Sequence, residues 1–389
     1  MRDGHTQPLV FVVVPGGVGA RGGIGRLVTM TVRHWRAAQL QPALRVIDPY
    51  GRALSPLTAL YLLRALAQIG WNARRHRIAL VHIHMAARGS AVRKGLIIRL
   101  AARLGVPIVL HLHGSRMDEF HAGLPGWGRR LLRRTLASAD RIVVPGEYWR
   151  RLLVDAVGID AGVVHVVTNA VAGPPDVAPR RPESPCELLF LGRLSARKGL
   201  PELLQALAHA DLAALPWRLR VAGDGDAPAF AERAAALGIA QRVEFLGWVP
   251  EERVPGLLAR ADVFVLPSHH EGLSMAMLEA MAHGCAVVTT PVGATLDAVA
   301  DGTSALLVPA GDIERLAGAL RRVIVEPALR AALQGAARRR WREGFDIDAH
   351  CRRLAALYRE INRDVVAQPA PDPRASAWPA NESTRGGDE

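Results

Sequence analysis

Two carboxylates eight positions apart stand in ADVFVLPSHHEGLSMAMLEAMAHGCAVVTT, residues 261–290. An apolar strand ending at Pro267 leads into a loop with Glu271 and Gly272, then into a helix opened by Leu273 and Ser274 and running to about His283. Free backbone amides at such a helix start, reinforced by the helix dipole, make an anion site. Glu271 is expected at a cleft edge, and Glu279 is expected to present its carboxylate to a ligand lying beside the helix. Both would accept hydrogen bonds from sugar hydroxyls. A second glycine-rich element, PGGVGARGGIG at 15–25, contains Gly17, Gly19 and Gly22 as G-x-G-x-x-G, and Asp48 ends the next apolar stretch. That pattern suits a dinucleotide cradle, but many strand-to-helix corners need the same glycines. Four histidines, His82, His84, His111 and His113, stand at strand ends expected to face one cleft.

The elements that must position these residues alternate throughout. Strand-length apolar runs at 9–14, 44–47, 80–84, 108–111, 141–144 and 164–168 are separated by helical stretches such as 55–68, 93–104 and 129–137. Runs at 187–191, 218–222, 243–246, 263–267, 286–289 and 305–308 repeat the alternation, and two helical stretches broken near Gly344 and Phe345 follow Asp312. The reading is α/β, with two doubly wound parallel-sheet domains. Residues 1–171 are the expected N-terminal domain, proline-rich 172–185 the linker, and 186–345 the C-terminal domain. Residues 346–367 are expected to return to the N-terminal domain as a helix, and 368–389 to be a disordered tail. Folds of this kind bind ligands beyond the strand C-terminal ends, which places the active site between the domains.

At 389 residues, 50% hydrophobic and 22% charged, the chain is long enough for two such cores. Cys186, Cys285 and Cys351 are too scattered for a disulfide framework or zinc site and suit a reducing cytoplasm. The six apolar residues before Pro15 are too few for a signal-peptide core, and no run approaches membrane-spanning length. Charge is uneven: residues 1–182 hold 26 Lys and Arg against 9 Asp and Glu, while 183–389 hold 23 against 27. The resulting +17 half suits a polyanion or an anionic membrane surface, although an arginine-rich proteome produces the same count. In 126–140 the spacing gathers Arg129, Arg130, Arg133 and Arg134 on one helical side beside Trp127, as in a membrane-surface helix or a plain solvated face. No nucleic-acid motif accompanies the charge.

The 261–290 stretch resembles the Glu-x7-Glu signature of family 4 retaining glycosyltransferases, whose GT-B fold sets two Rossmann-like domains across a central cleft. Further markers follow: LGRLSARKGL at 191–200 resembles the basic donor motif, RLRVAGDGD at 218–226 the third strand and turn, and VEFLGWVP at 243–250, with Trp248, the base-side loop. GGIG at 22–25 resembles the family's glycine loop and VLHLHGS at 109–115 its cleft histidine, so the similarity covers roughly residues 9–365. The resemblance implies transfer of a hexose from a UDP- or GDP-linked donor with retention, without metal or cofactor. It assigns catalysis to His113, Glu271, Arg193 and Lys198, and donor binding to Gly22, Gly23, Arg193, Lys198, Gly272, Leu273, Ser274 and Glu279. Arg193 and Lys198 would neutralise the diphosphate where other enzymes use a metal. His111 is the alternative to His113 if the alignment slips by one pleat, His84 lines the acceptor side, and Ser274 replaces a proline frequent in related sequences.

On this reading the glycine loop approaches donor or acceptor across the cleft and Asp48 has no role. Asp224-Gly225-Asp226 is a turn rather than a metal clamp, with Asp226 on the surface. Similarity to bacterial surface-polysaccharide enzymes implies a polyprenyl-diphosphate-linked acceptor at the inner face of the cytoplasmic membrane, in exopolysaccharide, O-antigen or capsule synthesis. The alternative is a GT-B nucleotide-sugar-binding protein acting as an epimerase-like or regulatory non-transferase.

Overall fold

Along the first strand, β1 (Leu9–Val13), Val10 and Val12 face one side and Phe11 and Val13 the other, all buried, as a central strand of a two-sided parallel sheet requires. In the computed structural model, which describes residues 8–20, 22–51, 58–87, 89–113, 116–177 and 185–361, β1 joins five parallel partners. These are β2 (Leu44–Ile47), β3 (Ile78–Met85), β4 (Ile108–Leu112), β5 (Arg141–Val144) and β6 (Val164–Val166), in the order β2-β1-β3-β4-β5-β6. A second parallel sheet contains β7 (Cys186–Leu191), β8 (Trp217–Ala222), β9 (Val243–Gly247), β10 (Val263–Leu266), β11 (Ala286–Thr289) and β12 (Leu306–Leu307), in the order β12-β11-β10-β7-β8-β9. The protein is α/β with two doubly wound sheets.

The helix Gly23–Ala37 covers the Val10 and Val12 face of the first sheet, and the last described helix, Ile347–Ile361, packs beside it through Cys351, Leu354 and Tyr358. Helices Thr58–Ala73, Gly89–Arg103 and Gly126–Leu136 cover the opposite face through Ala65, Ile69, Ile97, Ile98, Leu132 and Leu136. Residues 52–57, which include the start of the helix expected at 55–68, lie outside the described residues, as do 178–184 of the expected linker and 362–389, which include the expected tail. After Asp312 there are three helices rather than two: Ile313–Val325, Pro327–Gly344 and Ile347–Ile361. The additional break falls at Pro327, which has no N–H and starts the second of them.

All strands in each sheet are parallel, so the loops that follow β1, β3 and β4 share one edge, as do those after β7 and β10. Gly199 sets how closely the second pair approaches. It has φ +73°, and a Cβ there would lie 2.0 Å from the Pro267 carbonyl oxygen. Gly199→Ala should therefore cost about 2–4 kcal/mol and loosen the basic loop 193–198. An unchanged thermal melting temperature for this variant would show that the close approach is not required.

Candidate active site

On the C-terminal side, the basic loop is stitched to the loop that follows β10. Lys198 Nζ donates to Glu271 Oε1 at 2.5 Å, and Ser268 Oγ donates to the same oxygen at 2.8 Å. The Arg197 guanidinium donates to the His270 carbonyl at 3.1 Å, and the His269 amide to the Arg197 carbonyl at 2.9 Å. Arg193 is exposed, with no carboxylate paired to it among the described residues. Ser274 caps the helix Met275–Ala282 by accepting from the Met277 amide, so the serine at this position is a competent helix start.

Glu279 lies one turn further along that helix, where its carboxylate, expected to meet a ligand, meets a side chain of the facing domain. It is 3% exposed and ion-paired with Arg26, from the first turn of the helix Gly23–Ala37 across the cleft. Burial, the largest effect, raises its carboxyl to about 7 against the opposing pull of Arg26. Gly22 precedes the Arg26 helix with φ +94°, a conformation that favours glycine, and Gly23 faces the side chain of Met275. Two more N-terminal side chains hold the facing loop: Trp149 Nε1 donates to the Gly272 carbonyl at 3.1 Å and Asn169 Nδ2 to the Leu273 carbonyl at 2.9 Å.

The histidines form a column rather than a uniform cleft lining. His82 and His84 on β3, with His111 and His113 on and just past β4, stack their rings with centroids 4.1–5.4 Å apart. His82 does not face the cleft: it is 1% exposed and bonded through Nδ1 to Tyr358 Oη at 2.5 Å. At the cleft end, His84 Nδ1 and His113 Nε2 share a hydrogen bond of 2.7 Å. Burial holds His82 and His113 at about 3 and pushes His84 and His111 well below the usual range, so the column is neutral near pH 7. Nitrogens of His82, His84 and His111 lie within 4.8 Å of one another, but the rings stack at 3–27°. Lone pairs in nearly parallel ring planes run side by side and do not converge as a tetrahedral metal needs.

Two acids outside the site have local tasks. Asp48, which the dinucleotide pattern would have placed on a ribose, instead ties down the glycine loop: its Oδ1 accepts from the amides of Gly16, Tyr50 and Gly51 at 2.8–3.0 Å. Asp226 is the N-cap of the helix Ala227–Ala236, accepting from the Ala229 amide at 3.1 Å. Trp248, just past β9, is 50% exposed.

Residues 21–172 match Glycosyltransferase Family 4 and residues 185–326 match Glycosyl transferases group 1. The chain is 32% identical over 331 residues to the D-inositol 3-phosphate glycosyltransferase of Acidothermus cellulolyticus, covering 78% of this chain and 70% of that protein. The chain belongs to glycosyltransferase family 4. This family 4 enzyme is also 31% identical to the GDP-mannose-dependent alpha-(1-6)-phosphatidylinositol monomannoside mannosyltransferase of Mycolicibacterium smegmatis, over 65% of this chain and 70% of that one. Its fold matches Anabaena HepE in complex with UDP and glucose with a TM-score of 0.71 at 18% identity, covering 91% of this chain and 100% of the other. It is a glycosyltransferase of the GT-B type.

Arg26, Trp149, Asn169 and Lys94 carry no local motif that announces them. Lys94 has one sequence signal: with Lys198 it is one of only two lysines among 49 basic residues. It is 1% exposed, donates to Ser90 Oγ at 2.9 Å, and is pushed down to about 8, chiefly by burial.

For Glu279, a carboxyl near 7 when folded and at its ordinary 4.5 when unfolded keeps its proton longer in the folded enzyme. Its contribution to stability is therefore full below pH 4.5 and declines as pH rises towards 7. In Glu279→Gln this decline is absent, so the variant's melting temperature relative to wild type should rise between pH 5 and pH 8. A difference independent of pH would mean that the folded enzyme does not hold this proton.

Proposed function

We propose that this glycosyltransferase moves a hexose from a UDP- or GDP-linked sugar, with retention and without a metal, to a lipid-linked glycan acceptor in surface-polysaccharide synthesis. The observation that carries the reading is the convergence on one cleft wall of Arg193, the Lys198–Glu271 pair and the capped start of the helix Met275–Ala282. Glu271 already neutralises Lys198, which leaves Arg193 without a carboxylate among the described residues, beside a helix start whose dipole and free amides favour an anion. A diphosphate supplies that anion, and its charge grows as the bond to the sugar breaks, so these donors favour the transition state over the ground state. UDP in the fold neighbour HepE, and GDP-mannose and phosphatidylinositol monomannoside in the mycobacterial relative's name, support the classes of donor and acceptor.

In the transfer, the anomeric carbon's bond to the diphosphate oxygen breaks and its bond to the acceptor oxygen forms on the same face. The acceptor hydroxyl's proton passes to the departing diphosphate oxygen. A histidine held at about 3 is a weak proton acceptor, so His113 contributes by hydrogen bonding to the sugar while neutral. Glu279 would exchange Arg26 for the donor ribose, and Gly22 and Gly23 leave space for the donor or acceptor beside that exchange. Glu271, already bound by Lys198 and Ser268, holds the lysine towards the leaving group.

Activity on the right nucleotide sugar should survive EDTA, with the product's anomeric configuration unchanged by NMR. Loss of turnover to chelation and its return with Mn2+ would contradict the role of Arg193 and Lys198. Glu279→Gln should weaken donor binding by roughly 1.5–3 kcal/mol, whereas Glu271→Gln and His113→Ala should mainly lower kcat. Unaltered donor affinity of Glu279→Gln in calorimetry would remove the ribose role.

A further inference from the structure

The helices Thr58–Ala73, Gly89–Arg103 and Gly126–Leu136 form one outer layer, the middle helix touching both others and Gly95 lying against Thr135. They carry one, four and four Lys or Arg residues and no Asp or Glu. At 36 acidic residues in 389, roughly four would be expected in a layer of this size. Of the fourteen large apolar side chains exposed among the described residues, eight belong to these three helices.

Their position along the helices is also uneven. Leu60, Leu63, Val92, Leu96, Trp127 and Leu131 all fall within the first eight residues of their helices. Each helix runs back against the parallel strands, so its start lies at the edge where the strands end and the cleft opens. Eight residues span about 12 Å of helix, which confines these side chains to a band beside the cleft mouth. Leu63 is 61% exposed, Val92 71% and Trp127 69%, too open to be core residues at a ragged edge.

We propose that this band docks the enzyme on an anionic lipid bilayer, its apolar side chains entering the headgroup region while the arginines among and behind them contact lipid phosphate. Nucleic acid offers the phosphate but no apolar layer for Leu60, Leu63 and Val92, and a protein partner would have to supply carboxylates against every cation. A bilayer supplies both in one surface. The consequence is an orientation: the cleft mouth is held at the membrane, so an amphiphilic acceptor reaches His113 without leaving the lipid. That consequence rests on the proposed lipid-linked acceptor, whereas the docking does not.

The test is flotation of the full chain with phosphatidylcholine vesicles containing phosphatidylglycerol, at 0.1 M salt, where the Debye length is about 10 Å, and at high salt. Three exposed leucines are replaced together, Leu63→Ser, Leu96→Ser and Leu131→Ser, with an unchanged melting temperature as the folding control. Wild type should bind at 0.1 M salt and retain part of that binding at high salt. The triple variant should bind about tenfold less and release fully at high salt, while the arginine variant R129Q/R130Q/R133Q/R134Q should keep the salt-resistant part. Equal vesicle binding by wild type and the leucine variant would overturn the proposal. So would wild type that ignores anionic vesicles but self-associates in light scattering through the same leucines. Calorimetry with UDP- and GDP-sugars on the leucine variant separates the two readings: intact donor binding with lost flotation supports the docking band, and flotation without any donor binding counts against the transfer reading alone.

Discussion

Desolvation of Glu279 is the constraint on which the closed cleft depends. A carboxylate at 3% exposure has lost most of its hydration, and the ion pair with Arg26 only partly offsets that loss, as its raised affinity for a proton shows. The two partners come from different sheets, one after β1 and the other after β10, so the pair forms only when the edges meet. The other contacts at the junction are short-range: Trp149 and Asn169 donate to the backbone of the loop immediately before the Glu279 helix, Asp297 accepts from the Glu147 amide at 2.8 Å, and Arg33 pairs with Glu251 at 3.3 Å nearer to solvent. At this buried pair, a polar ligand that displaces Arg26 must itself satisfy the Glu279 carboxylate.

The same logic divides the site's charges by accessibility. Lys198 is committed to Glu271, with side-chain exposures of 15% and 10%, while Arg193 remains in solvent a few residues away. A lysine held by a carboxylate is a positioned point charge, and an open guanidinium is a fork available for two oxygens. The histidine column on the other wall carries no charge near neutral pH, because burial outweighs any benefit of protonation. Its cleft end, the His84–His113 pair, offers uncharged hydrogen-bonding groups opposite Arg193 and the Lys198–Glu271 pair. Such an asymmetry suits a ligand with an anionic end and a hydroxyl-rich end.

The N-terminal domain presents three chemically different surfaces from one sheet. Its cleft edge carries the glycine loop and His113, one face is sealed by the helices Gly23–Ala37 and Ile347–Ile361, and the other carries the carboxylate-free helical layer. The chain enters the second domain at Val171 and comes back at Phe345, where the Val171 amide donates to the Phe345 carbonyl at 3.0 Å and Trp341 Nε1 to the Val171 carbonyl at 3.2 Å. Both crossings therefore lie at one place, and the final helix, returning from there, ties the second domain to the face that buries His82 and Tyr358.

Much of this was legible in the chain itself. All twelve strands lie where apolar runs of strand length stand, because a parallel strand covered on both faces must be apolar at nearly every position. The Glu-x7-Glu stretch, the Arg193 to Lys198 loop and His113 were recognisable because each is local in sequence, and one loop and helix start dictate its geometry. What the sequence could not determine was pairing across long separations. Arg26 and Glu279 are 253 residues apart, His82 meets Tyr358 across 276, and Asp48 serves a glycine loop 32 residues earlier. Periodicity places such residues on faces, but it does not say which faces meet. Nor could helical spacing show that three separate helices share one layer lacking carboxylates, since their adjacency comes from the order of strands in the sheet. Sequence determined the elements and the local motifs; tertiary packing decided which charges lost their water, and thereby which carboxylate, lysine and histidines were driven from their ordinary proton affinities.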